Sequence, residues 1–167
     1  MVSRINRLTF SIVLLTLLFG SWLGAQTVTK AFDQSYAKTD EVRLKQSRGP
    51  LTIVPSPDGK IRVVTEMSVV ASNQAEGAAF LAKMMPKVQK SSNSISIETG
   101  MIGVKTWNHK NNEMRVVFQD GDKFRGMRDF EISSTLFLTE TQLLERETRF
   151  ERIQIDPDVK LNNLELQ

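Results

Sequence analysis

The sequence predicts a mainly β domain with one short helix, preceded by an export signal. Two observations carry the β expectation. Apolar and polar residues alternate in short stretches, and glycine, proline and asparagine turn signals separate those stretches at intervals of roughly ten residues. A third concerns the start of the chain, where charge is confined to Arg4 and Arg7 ahead of a long apolar run. The strand spacing fits a sandwich, a barrel or a coil of stacked strands.

The export signal has the three parts that translocation requires. Arg4 and Arg7 form a basic head, residues 8–19 form the apolar stretch, and Gly20, Gly24 and Ala25 supply small residues for a peptidase. The expected cut lies between Ala25 and Gln26. An uncut anchor helix is the rival, because no charge falls between Arg7 and Lys30 and a membrane span needs roughly 20 apolar residues. Gln26, Thr27 and Thr29 dilute the far end of such a span. The expected organisation is a signal peptide at 1–25, a polar lead-in at 26–40 and a β-rich domain at 41–167. The membrane is expected to be met only through an uncut signal.

Composition narrows the partners. The chain has 22 basic and 19 acidic side chains, and removal of Arg4 and Arg7 leaves the remainder one charge from neutrality. A near-neutral domain lacks the concentrated basic face that nucleic acid requires, so no nucleic-acid partner is expected. With no cysteine, neither a disulfide nor a lipidated N-terminal cysteine can form. Burial alone has to hold the domain together.

From Glu41 the elements follow in order. Val42 and Leu44 begin a strand, and Gly49-Pro50 breaks it. Leu51 and Ile53 continue, Pro57-Asp58-Gly59 turns the chain, and Ile61, Val63, Thr65, Met67 and Val69 share one face of a third strand. These three are expected to be antiparallel neighbours. Asn73 and Glu76 have capping-box spacing, with Ala78, Leu81, Met84 and Met85 on one helical face and Pro86 as the stop. A hairpin is expected around residues 91–93, with Ile95 and Ile97 facing together, then a loop over residues 100–112. Strands at 114–118 and 130–138 flank an Asp120-Gly121 turn. Further short strands are expected at Leu143-Leu144, at residues 153–155 and at 161–164.

The order of Thr39-Asp40-Glu41-Val42-Arg43-Leu44, Gly49-Pro50-Leu51-Thr52-Ile53, Gly59-Lys60-Ile61-Arg62-Val63 and Ile95-Ser96-Ile97-Glu98-Thr99 resembles a family of exported bacterial adhesin-like proteins, common in Bacteroidetes-type organisms. The resemblance spans most of residues 39–167. It implies a partial β-solenoid or sandwich of stacked short strands with one helix packed on it. It brings no catalytic residues to carry over. The chain departs from the pattern at Glu151, where a rung would often place glycine, and at Leu164-Glu165-Leu166-Gln167, where longer members continue; a short variant with few rungs or an incomplete sequence is expected.

Candidate sites are few. Trp107 and His109, in the polar stretch 106–112, are the candidate ligand contacts. One histidine without cysteine cannot build a multi-ligand zinc site, and no nucleophile turn accompanies it. Asp120-Gly121-Asp122 reads as a turn, since a calcium loop needs more oxygen ligands. Lys83, Lys87, Lys90, Arg125 and Arg128 read as solvated charges; anionic lipid or lipopolysaccharide phosphates are the functional alternative. Glu140, Glu145, Glu147 and Glu151 interleave with Arg146, Arg149 and Arg152, which favours cross-strand ion pairs over a catalytic carboxylate pair. No metal or cofactor is expected.

The expected function is therefore that of an exported, non-catalytic envelope protein, an adhesin-like binding or structural module whose partner is an envelope or surface protein or a glycan. Its place would be the periplasm, the outer surface or the medium. One alternative is a periplasmic carrier of an apolar ligand such as lipid, with Met67, Met84, Met85, Met101 and Met114 lining its cavity. A second is an envelope glycan hydrolase.

Overall fold

The alternating stretches fold into two packed sheets, seen in a computed structural model that describes residues 24–139, 143–148, 153–159 and 164–166. The leader and its Arg4 and Arg7, together with Glu140, Arg149, Glu151, Arg152 and Leu161, lie outside the described residues. The same holds for the side chains of Glu145, Arg146 and Glu147.

In chain order the strands are β1 (Gln26–Tyr36), β2 (Glu41–Gln46), β3 (Leu51–Pro55) and β4 (Ile61–Ala71). The helix α1 (Gln74–Lys83) leads to β5 (Lys87–Lys90) and β6 (Ser94–Thr99). Then come β7 (Val104–Lys110), β8 (Glu113–Phe118) and the long β9 (Lys123–Leu138). Three short strands follow: β10 (Leu143–Thr148), β11 (Ile153–Ile155) and β12 (Leu164–Leu166). One sheet runs β1-β4-β9-β3-β11, with β8 on the far side of β9 and β7 beyond β8; the other runs β12-β10-β2-β6-β5. Neither closes into a barrel among the described residues.

The first three domain strands are not the antiparallel neighbours that the sequence suggested. Gly49, at φ +90°, turns the chain from one sheet into the other, so β2 and β3 lie in different layers. Each then pairs in parallel with later strands: β2 with β6 and β10, and β3 with β9 and β11. The registers agree between layers, because Glu41 pairs Leu143 as Leu51 pairs Ile153. The two coils therefore stack rung on rung.

The core has two parts. One lies between the sheets, where Phe32, Leu51, Ile53, Ile61, Val63 and Leu136 meet Val42, Leu44, Ile95 and Ile97. The other lies where the larger sheet extends past the corner at residues 47–50 and is capped by α1 and the β7–β8 hairpin. There Phe80 is fully buried and packs edge-on against Phe118, Phe124 and Phe130, with centroids 6.3, 5.6 and 5.2 Å away. The two buried hydroxyls of Thr65 and Ser134, 3.1 Å apart, satisfy each other on neighbouring strands, two residues along from members of each cluster.

Three other expectations need correction. Residues 26–36 are a strand, not an unpatterned lead-in. All eleven pair with β4 without a break, from Gln26 opposite Ala71 to Tyr36 opposite Ile61. Residues 104–110, expected as loop, form β7, joined to β8 by Asn111 and Asn112 at φ 53° and 59°. Asparagine tolerates that region, which gives the right twist for a two-residue hairpin. On α1 the buried residues are Gly77, Phe80 and Leu81, while Ala78 is exposed. Gly77 is needed there because a methyl group would come within 2.9 Å of Ala71 Cβ and Val28 Cγ2.

The hairpin of β5 and β6 and the Asp120-Gly121 turn form as expected; Gly121 sits at φ 93°, and the Phe118 amide donates to the Asp122 carbonyl at 2.9 Å.

Candidate functional site

Where β1, β4 and β9 cross the level of the first corner, an open cleft of about 750 Å³ lies against residues 29–31, 66–68, 130–133 and 48–50. Its charged residues are Lys30, Arg48, Glu66 and Glu131. Register places Ala31, Glu66 and Ser133 in one row across the three strands and Thr29, Ser68 and Glu131 in the next. Each glutamate therefore sits beside a serine, and the two glutamates are diagonal neighbours rather than a facing pair. The arrangement offers donors and acceptors to a polar partner.

The corner is held by its own side chains. Gln46 Nε2 donates to the Gly49 carbonyl at 2.5 Å, and Ser47 Oγ accepts from the Met101 amide at 2.7 Å. These contacts fix the backbone from which Arg48 projects. The Arg48 guanidinium lies 4.9 Å from the centre of the Trp107 ring, a cation–π contact at the border of the cleft.

The two candidate contacts separate. Trp107 is half-buried and packs on Phe130 and Phe80, at 5.8 and 6.5 Å between centroids, so its ring belongs to the core margin. His109 is exposed two residues along β7, opposite Met114. The structure brings neither a carboxylate nor a nucleophile to it among the described residues. Of the cleft's residues, only Met67 was singled out in the sequence as a cavity lining, and none of its charged residues was. They come from three strands and a corner, and only the register of the folded sheet aligns them.

Elsewhere, Lys83 and Arg62 are engaged within the fold. Lys83 binds Asp120 at 2.5 Å and also binds Asp122, so the Asp120-Gly121-Asp122 turn already has its cation. The two carboxylates hold the Lys83 ammonium above its ordinary pKa, and Lys83 holds Asp120 below the usual carboxylate range. Arg62 grips Asp33 on the neighbouring strand with two contacts, at 2.8 and 2.5 Å, which lowers the Asp33 pKa. Among the described residues no group of three or more His, Cys, Asp or Glu side chains is placed to hold a metal. Met67, Met84 and Met114 are packed in the core, while Met85 and Met101 are half-buried. No helix among the described residues is long and apolar enough to cross a membrane.

No protein-family model matches this chain, and neither does any curated protein or solved structure.

Proposed function

We propose that this chain is an exported, non-catalytic protein of the bacterial cell envelope, an adhesin-like binding or structural module. It works in the periplasm, on the outer surface or in the medium. The observation that carries this reading is the position of β1. The strand begins at Gln26, the residue expected to follow the export cut, and the described core begins only at Val28. A cut before Gln26 therefore leaves every described strand whole.

The partner is an envelope or surface protein or a glycan, met by the strand-built surface. The cleft supports this, since Lys30, Arg48, Glu66, Glu131 and the adjoining serines can pair with mixed polar groups. Met84 and Met114 are packed in the core away from the cleft, and of the five methionines Met67 alone lines it, which favours a polar partner over an apolar ligand.

Cross-linking on intact cells, followed by mass spectrometry of the adducts, tests the reading. It predicts reproducible adducts with envelope components that disappear when Arg48 and Glu131 are both changed to alanine. Adducts confined to cytosolic proteins, or hydrolysis of glycans abolished by His109→Ala, would contradict it.

A further inference from the structure

The free edges of the two sheets are not treated alike. β5, at one end of the smaller sheet, has four residues and exposes Lys87 and Lys90. β7, beyond β8, exposes Lys105, His109 and Lys110. Short length and outward lysines are the usual means of keeping an edge from pairing with another chain. β1 has neither. It runs eleven residues without proline or bulge, and its outer edge pairs with no strand among the described residues. Its charges are Lys30 and Asp33, and Arg62 of the adjacent strand already binds Asp33.

We propose that β1 is the dimerisation edge of this protein, pairing antiparallel with β1 of a second copy about a two-fold axis through Phe32. A two-fold perpendicular to the sheet keeps both cores on the same side, so inward residues face inward residues and only every second register is allowed. Centring on Lys30 opposes two lysines, and centring on Asp33 opposes two aspartates. Centring on Ala31 sets Lys30 against Phe32. Centring on Phe32 sets Val28 against Tyr36, Phe32 against its copy, and Lys30 against the Gln34 amide. On the outward face, Thr29 meets Ser35 and Ala31 meets Asp33. Val28, Phe32 and Tyr36 already pack on the two core clusters, so this register carries the apolar row of each edge into the other molecule. The result is one continuous sheet through both copies.

The chain's lack of cysteine makes the register directly testable. Under mild oxidation a Thr29→Cys/Ser35→Cys variant is expected to give a covalent dimer. Either single variant, and a Thr29→Cys/Asp33→Cys variant that fits the Ala31-centred register, is expected to stay uncross-linked. In sedimentation of the cysteine-free protein, Ala31→Asp sets a second carboxylate opposite Asp33 and weakens the dimer roughly tenfold, whereas Ala31→Lys tightens it. Thermal unfolding of each variant establishes that it remains folded. A monomer at all concentrations up to roughly 100 µM, equal cross-linking of both cysteine pairs, or β1 engaged by a strand of a different protein would overturn the proposal.

Discussion

At Gly49 the backbone takes φ +90° while the chain passes between layers, and a methyl group there would collide with the Ile132 carbonyl oxygen. Strain and collision act together, so Gly49→Ala should cost about 2–4 kcal/mol. Gly59 is the control. It has φ +71° with nothing within 4 Å of an added methyl, so Gly59→Ala should cost only about 1 kcal/mol from backbone strain. Urea unfolding of the two variants separates a tight corner from an open turn. The ion pairs act at the same scale but more weakly, since Asp33 and Asp120 are exposed. Arg62 and Lys83 depress their folded-state pKa values. Each therefore contributes stability that is fully present above about pH 4 and lost as the pH falls through the folded value. Unfolding midpoints measured from roughly pH 6 down to pH 2 should fall, and the fall should be shallower in an Asp33→Asn/Asp120→Asn variant.

The helix shows how a local signal and a tertiary demand divide the work. Asn73 accepts hydrogen bonds from the Ala75 and Glu76 amides at 2.8 and 3.4 Å, as its spacing predicts. Glu76 does not complete the box; its carboxylate accepts from the Arg125 amide at 3.1 Å and so ties α1 to β9. Asn73→Ala should cost about 1 kcal/mol, whereas Phe80→Ala, which empties the centre of an aromatic cluster, should cost about 3–5 kcal/mol. Chemical denaturation distinguishes the two. Elements whose signals were local were legible in the sequence: the hairpin of β5 and β6, the Pro86 stop and the Asp120-Gly121 turn. β1 was not, because its inward row reads Val28, Lys30, Phe32, Gln34, Tyr36 and alternates apolar with polar on a single face. β7 was hidden for a similar reason, with Trp107 the only large apolar residue among its hydrophilic ones.

At the scale of the whole molecule, the stack depends on pairings between residues far apart in the chain. β2 lies between β6 and β10, and β3 between β9 and β11, so each coil meets partners that the sequence places long after it. No periodicity within a strand specifies such a neighbour, which is why class and strand positions were readable while parallel pairing was not. The cleft shares that origin, since its residues on β1, β4, β9 and the corner come together only once the register is set. The proposed export meets this fold at Gln26, the first residue after the expected cut and the first of the described sheet. Intact-mass measurement of the protein recovered from fractionated cells tests that link most directly. The account predicts a chain beginning at Gln26 in the fractions outside the inner membrane. A chain retaining Met1 or its leader, found in the cytosol, would contradict it.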